Sequence, residues 1–187
     1  RVMITRGLLG LQDAIDVSVV HPIMAPTKPG VDDHKGWIFK KDPKYPWATG
    51  DPINGQETVR GLYDKVGATE TRFTVPTLWD KNSEMIVNNE SKEMIRFLYD
   101  SFNASEFAKT RMPYKVDDAM GGESFTIDLY PEALRETIDS LCDKIYNPIN
   151  NGVYRCGFAQ SQEAYDIASK ELFDCLDEVE EIFNILM

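Results

Sequence analysis

Glu90 and Ser91, directly behind Asn88 and Asn89, are the residues of this chain best placed to hold a small peptide with a free carboxylate. Asparagine is a favoured helix N-cap, so the pair is expected to open a helix through Ser91-Lys92-Glu93-Met94-Ile95. Free backbone N–H groups and the positive end of the helix dipole favour an anion at such a start. Upstream, Phe73, Val75 and Leu78 are strand-forming, while Pro76 removes a backbone donor and pushes Val75 into an extended conformation. That proline ends one ladder and leaves backbone polar groups exposed. Asp80-Lys81-Asn82 is a turn signal and Met85-Ile86-Val87 a short buried-type run. Arg72 to Ser91 therefore reads as strand, proline turn, strand and helix start. The same local chemistry also fits an ordinary ββα unit with no ligand.

Other candidate chemistry is sparser. Tyr154 sits in Asn150-Asn151-Gly152-Val153-Tyr154, where two Asn and a Gly predict a constrained connection that holds the phenol on a loop or helix edge. A phenol there can donate a proton or stabilise an oxyanion, or simply pack. Cys142, Cys156 and Cys175 are odd in number and lack C-x-x-C spacing, which supports neither a disulfide framework nor a zinc site. Cys156 reads as a small core residue and a rival for reactivity. His21 and His34 stand in different local contexts and read as solvated or hydrogen-bonded side chains, so no metal is expected.

The elements that must position these residues follow from periodicity. A helix over about 1–12 feeds a strand at Ile15-Asp16-Val17-Ser18-Val19-Val20, stopped at Pro22. From His21 to about Gln56 the chain is irregular, interrupted by Pro26, Pro29, Pro43, Pro46 and Pro52, and a loop that long in a compact domain usually carries function. Helical spacing returns over Glu57–Val66, with Val59, Leu62, Tyr63 and Val66 on one side. With the 72–103 block this gives the element order of a thioredoxin-like sheet. Residues 104–127 read as a linker or insertion, and 128–187 as helices. In the latter Pro131 opens a helix with Leu134, Ile138, Leu141 and Ile145 inward, and Tyr165, Ala168, Leu172, Val179, Phe183 and Leu186 form a second stripe. Bundle core is the expected role of that stripe, and a partner-binding face the alternative. The fold class is thus α/β followed by all-α, with domain boundaries at 1–103 and 128–187.

Charge narrows the partners. The 187 residues carry a formal net charge of −11, against the clustered Lys and Arg that phosphate binding requires, so nucleic acid and anionic membrane are excluded as main partners. No apolar run approaches membrane-spanning length, and the 42% hydrophobic content is enough to fill a core.

Taken together, Val17-Ser18-Val19-Val20-His21-Pro22, Gly36-Trp37-Ile38-Phe39, Thr74-Val75-Pro76-Thr77-Leu78-Trp79-Asp80-Lys81, Ile86-Val87-Asn88-Asn89-Glu90-Ser91, Asp128-Leu129-Tyr130-Pro131 and Asn150-Asn151-Gly152-Val153-Tyr154 resemble the glutathionyl-hydroquinone reductases, the Xi class of glutathione transferases. The resemblance implies a thioredoxin-like domain followed by a truncated helical glutathione-transferase C-terminal domain. It implies glutathione as co-substrate, glutathionylated quinone-type small molecules as partners, and a Val-Pro cis bond. By position, Trp37 would line the glutathione site, Arg72, Phe73, Thr74 and Val75 would bracket the peptide portion, and Glu90 with Ser91 would bind the γ-glutamyl end. Tyr154 matches the family's proton donor and acceptor. The implied reaction forms a cysteine–glutathione mixed disulfide at a C-P-W-A cysteine, and Arg1 aligns just after that motif. Residues 1–187 alone are therefore expected to lack glutathione-dependent reductase turnover, and a non-catalytic binding or structural module is the alternative. A reducing, cytoplasmic location is expected, or an organelle had a targeting segment been removed. Monomer and homodimer both stay open.

Overall fold

Residues 1–69, 72–102 and 128–186 are described by the computed structural model, and the chain divides into two units, Arg1–Ile127 and Asp128–Met187. The linker expected over 104–127 lies outside the described residues.

The first unit opens with helix α1 (Val2–Leu8), shorter than the 1–12 expected. Gly10, at φ 66°, turns the chain into a 3-10 segment at Leu11–Asp13, and Leu9 and Leu11 on either side are fully buried. Arg6 ties this corner together. Its Nε donates to the Ile15 carbonyl at 2.6 Å and its Nη2 to that of Gln12 at 2.8 Å.

The strand expected over Ile15–Val20 forms no ladder among the described residues. Single bonds hold the segment instead: Val19 N–H donates to Thr49 Oγ1 (2.9 Å), Thr49 N–H to the Val19 carbonyl (3.0 Å) and His21 N–H to the Ile38 carbonyl (2.8 Å). The β-branched run has strand propensity, but a ladder needs a neighbour with its own row of donors and acceptors. The proline-broken 21–56 stretch supplies only a two-residue pair, β1 (Ala25–Pro26) with β2 (Lys35–Gly36), and isolated bridges such as Ile38 with Thr58.

Helix α2 (Val59–Lys65) starts on Thr58, whose hydroxyl oxygen accepts from Gly61 N–H at 2.9 Å. Its i, i+3, i+4 residues Val59, Leu62 and Tyr63 are buried, as the spacing predicts. Strands β3 (Leu78–Asp80) and β4 (Met85–Asn88) then form an antiparallel hairpin with an irregularity between Leu78 and Trp79. Asp80 builds the turn by accepting from the Asn82 amide (2.9 Å) and the Ser83 hydroxyl (2.7 Å), and these bonds, Ser83's first, hold its carboxyl below the usual carboxylate range. Helix α3 (Ser91–Phe102) follows, packs against α1 and buries Met94, Leu98 and Tyr99. Burial of Met94 and Leu98 stabilises the first unit by roughly 1.5–3 kcal/mol per side chain.

The second unit is helical. After Pro131 a 3-10 turn (Glu132–Leu134) leads into α4 (Arg135–Ile145), then a π-helical turn over Tyr146–Asn150, α5 (Gly152–Gly157) and the long α6 (Gln162–Leu186). Pro148 explains the π turn, since it has no N–H to continue the α ladder, and the next closure runs from Asn151 N–H to the Tyr146 carbonyl at 3.0 Å. Lys144 pairs with Glu178, and Arg155 with Glu171 at 2.5 Å. The expected core stripes are only partly buried. On α6, Ala168 and Leu172 are inside together with Cys175, whereas Tyr165 is 45% and Phe183 61% exposed, and Leu134 before α4 is 53% exposed.

The cap at Thr58 is directly testable. Thr58→Ala is expected to lower stability by about 1 kcal/mol, read as a shift in the urea midpoint with an unchanged slope. An unshifted midpoint would show that the hydroxyl contributes nothing.

Candidate functional site

The start of α3 is built by three side chains in a row, Asn88, Asn89 and Glu90. Helical hydrogen bonding begins at Glu90, whose carbonyl accepts from the amides of Glu93 (3.1 Å) and Met94 (3.0 Å), and whose carboxylate accepts from Lys92 N–H at 3.0 Å. Glu90 is therefore the cap residue, and not Asn88 or Asn89 as intrinsic preference suggests. A longer acid displaces the better intrinsic cap because both asparagines are engaged elsewhere. Asn88, closing β4, accepts from Glu90 N–H at 2.5 Å and donates through Nδ2 to Glu93 Oε2 at 2.6 Å. Asn89 donates through Nδ2 to Thr74 Oγ1 at 2.7 Å, across 15 residues of chain.

These bonds bring one group of expected site residues together. Thr74 and Val75 are tied to the segment carrying Glu90 and Ser91, and the Thr77 hydroxyl donates to the Thr74 carbonyl at 2.9 Å, closing the bend that holds the cis Val75–Pro76 bond. Val75 is 39% exposed. Its backbone, and the hydroxyl and amide of the half-buried Ser91, make no hydrogen bond among the described residues. The result is a row of unpaired polar groups beside the positive end of α3.

Phe73 is held from behind. Its ring meets His34 and Tyr63 edge-on, each at 5.3 Å, and the Arg60 guanidinium lies 5.3 Å from its centroid. Arg60 in turn grips Asp32 with both terminal nitrogens, at 2.7 and 2.9 Å, and the His34 ring lies 2.8 Å from Thr27 Oγ1. The Arg60 guanidinium beside Asp32 holds its carboxyl below the usual carboxylate range. Nothing in the sequence pattern announces this support, because its members are spread over 27–73 and join only in three dimensions.

The remaining candidates stand apart. Arg72 is exposed and makes no ion pair among the described residues. Trp37 is half-buried beyond β2, with its carbonyl accepting from Val59 N–H at 3.0 Å, and its indole shares no hydrogen bond with the α3 start. Tyr154 belongs to the second unit, where it lies on α5, the short helix that the motif's Gly152 opens, and is 63% exposed. His21 is buried, with Nε2 3.4 Å from Asp42 and its ring edge-on to Tyr45 at 5.0 Å. An open depression lined by Lys41, Asp42, Pro43, Pro46, Ala48 and Thr49 shares no residue with the α3 start. Among the described residues no His, Cys, Asp and Glu side chains group to hold a metal ion, and no helix is long and apolar enough to cross a membrane.

Comparison with known proteins decides the family. Residues 1–101 match the glutathione S-transferase N-terminal domain. The chain belongs to the glutathione S-transferase family. Within that family its likeness runs to the Xi class. The chain is 40% identical over 185 residues to the glutathionyl-hydroquinone reductase YqjG of Escherichia coli, covering 98% of this chain and 48% of that protein. The crystal structure of glutathione transferase Xi 1 from Trametes versicolor superposes with a TM-score of 0.76 at 42% identity, over 97% of this chain and 55% of that one. A glutathione-bound structure of YqjG gives 0.72 at 40% identity, over 98% and 51%. The chain thus spans about half the length of the curated relatives it matches. The fold expected from the sequence, a thioredoxin-like glutathione-transferase domain followed by helices, is the fold observed.

The Asp32–Arg60 pair gives a pH-dependent check. Because the folded state depresses the Asp32 pKa, its contribution to stability is full above the ordinary carboxylate value of about 4 and fades as pH falls through the lower folded value. The stability gap between wild type and Asp32→Asn is expected to be constant near neutrality and to close in acid, followed by urea unfolding across pH. A gap that stays constant into acid would contradict it.

Proposed function

We propose that these residues are the glutathione-binding part of a glutathione-dependent thiol oxidoreductase that reduces glutathionyl-hydroquinones to hydroquinones. The observation that carries the reading is the unpaired amide and hydroxyl of Ser91 beside the Glu90 carboxylate at the start of α3, joined to the unpaired backbone of Val75. The γ-glutamyl end of glutathione bears an ammonium and a carboxylate on one carbon. Glu90 takes the ammonium, and Ser91 N–H and O–H take the carboxylate, aided by the helix dipole. The Val75 backbone pairs with the cysteinyl amide of the ligand as a strand would. Phe73, Trp37 and Arg72 border the peptide. A glutathione complex of a relative at 40% identity, the YqjG structure, supports glutathione as the ligand here.

In the reaction a cysteine thiolate attacks the glutathione sulfur of the aryl thioether. A sulfur–sulfur bond forms, the aryl carbon–sulfur bond breaks, and the ring carbon takes a proton, the role assigned to Tyr154. A second glutathione thiolate then attacks the mixed disulfide, giving glutathione disulfide and the free cysteine thiolate. Cys142, Cys156 and Cys175 all lie in Asp128–Met187, so residues 1–127 contribute binding and no nucleophile. One observation favours the alternative of a binding module without chemistry: the Glu90 carboxylate already serves as a helix cap.

Two variants in the full-length protein separate these readings. Ser91→Ala is expected to weaken glutathione binding by about 1–3 kcal/mol, since it leaves a buried partner unpaired. Calorimetry with unchanged affinity would remove Ser91 from the binding site. Tyr154→Phe is expected to slow glutathionyl-hydroquinone reduction by roughly 10²-fold with little change in glutathione affinity, as for a lost general acid. Equal rates would make Tyr154 a packing residue and support the binding module.

A further inference from the structure

Asn89 does not cap the helix it precedes. Its amide spans 15 residues of chain to donate to Thr74 Oγ1 at 2.7 Å, on a residue whose carbonyl is itself fixed by the Thr77 hydroxyl at 2.9 Å. On its other side, Asn88 anchors the α3 start to the end of β4 through Glu90 N–H and Glu93. The two asparagines therefore share the anchoring of the helix start, Asn88 tying it to the hairpin and Asn89 to the bend preceding the hairpin. No other hydrogen bond or ion pair among the described residues joins residues 72–77 to 88–91.

We propose that Asn89 is a positioning residue, which through Thr74 sets the separation between the Val75 backbone and the Glu90–Ser91 pair so that a single tripeptide ligand engages both. The inference rests on the glutathione reading above. It also reassigns Thr74. The resemblance sets Thr74 among the residues bracketing the peptide, whereas its hydroxyl is occupied by Asn89 and acts by holding Val75 in place. A rigid span of this kind lowers the ordering that a flexible ligand and an exposed bend must undergo together on binding. Thr74 and Ser91 lie on opposite sides of the span, so loss of the bridge acts on affinity and leaves each half intact.

The test is a double-mutant cycle read by isothermal calorimetry with glutathione on the full-length protein, using Asn89→Ala, Thr74→Val and both together. Each single variant is expected to raise Kd about five- to tenfold with the binding stoichiometry unchanged, and the double variant no more than either single one. Thr74→Ser, which keeps the hydroxyl, is expected to bind like wild type. A merely structural role would lower the stoichiometry through misfolded protein and leave Kd where it was, and that outcome overturns the proposal. Additive effects would also overturn it, because Thr74 would then touch the ligand by itself. Should Asn89→Ala fail to fold, the near-isosteric Thr74→Val at its exposed position and its Ser counterpart still decide the question. Ser91→Ala separates the two layers. If Ser91→Ala weakens binding while Asn89→Ala and Thr74→Val do not, the bridge is wrong and the site stands; if wild type does not bind glutathione, both fall.

Discussion

The arrangement at the α3 start depends on one local constraint, the competition for its free amides. An α-helix leaves four N–H groups without intrahelical partners, and here Glu90 takes only that of Lys92 with its side chain, while the Glu90 amide just ahead of the helix goes to Asn88. The Ser91 amide is left over. Asn88 gives its acceptor oxygen to the Glu90 amide and Asn89 is turned toward Thr74, so neither covers it. An unpaired donor next to a capping carboxylate at a dipole's positive end is what a ligand carrying an ammonium and a carboxylate on one carbon requires.

Around that point the first unit serves as support at increasing distance. The β3–β4 hairpin delivers Asn88 in register, α3 packs against α1 and buries Met94 and Leu98, and the Arg60–Asp32 pair backs the Phe73 ring next to Thr74. Sites of this kind gain specificity from groups whose own geometry is locked by neighbours. The Asp80 turn has the same character on a smaller scale, its carboxylate satisfied by Asn82 and Ser83 so that the hairpin cannot slip. The second unit differs: its long helix α6 buries Ala168, Leu172 and Cys175 and leaves Phe173 and Phe183 largely exposed.

How much of this is legible in the sequence follows from how local each signal is. The turn at Asp80, β4 with the helix after it, and Val59, Leu62 and Tyr63 inward on α2 are all consequences of neighbours in sequence, and all can be read there. Ile15–Val20 reads as a strand yet forms no ladder, because propensity is local and pairing is not. The N-cap falls one or two residues later than expected for a related reason: Asn88 and Asn89 have the intrinsic preference, but Thr74 is 15 positions away from Asn89 and claims its amide. The π turn at Pro148 and the helical setting of Tyr154 follow from a missing donor whose effect emerges only once the flanking helices exist. The Arg60 support is invisible in the sequence, since no spacing rule links Thr27, Asp32, His34, Arg60 and Phe73. Motif order carries the family more surely than any of these elements.

A glutathione titration followed by amide NMR tests the binding role of the α3 start without recourse to turnover. With the ligand seated there, the Ser91 amide moves furthest downfield as it gains a carboxylate partner, the Val75 amide shifts with the same dissociation constant, and amides of the 41–49 loop stay still. Shifts centred on that loop or on α6, with Ser91 unmoved at saturation, would place the ligand elsewhere and contradict the assignment of Glu90, Ser91 and Val75.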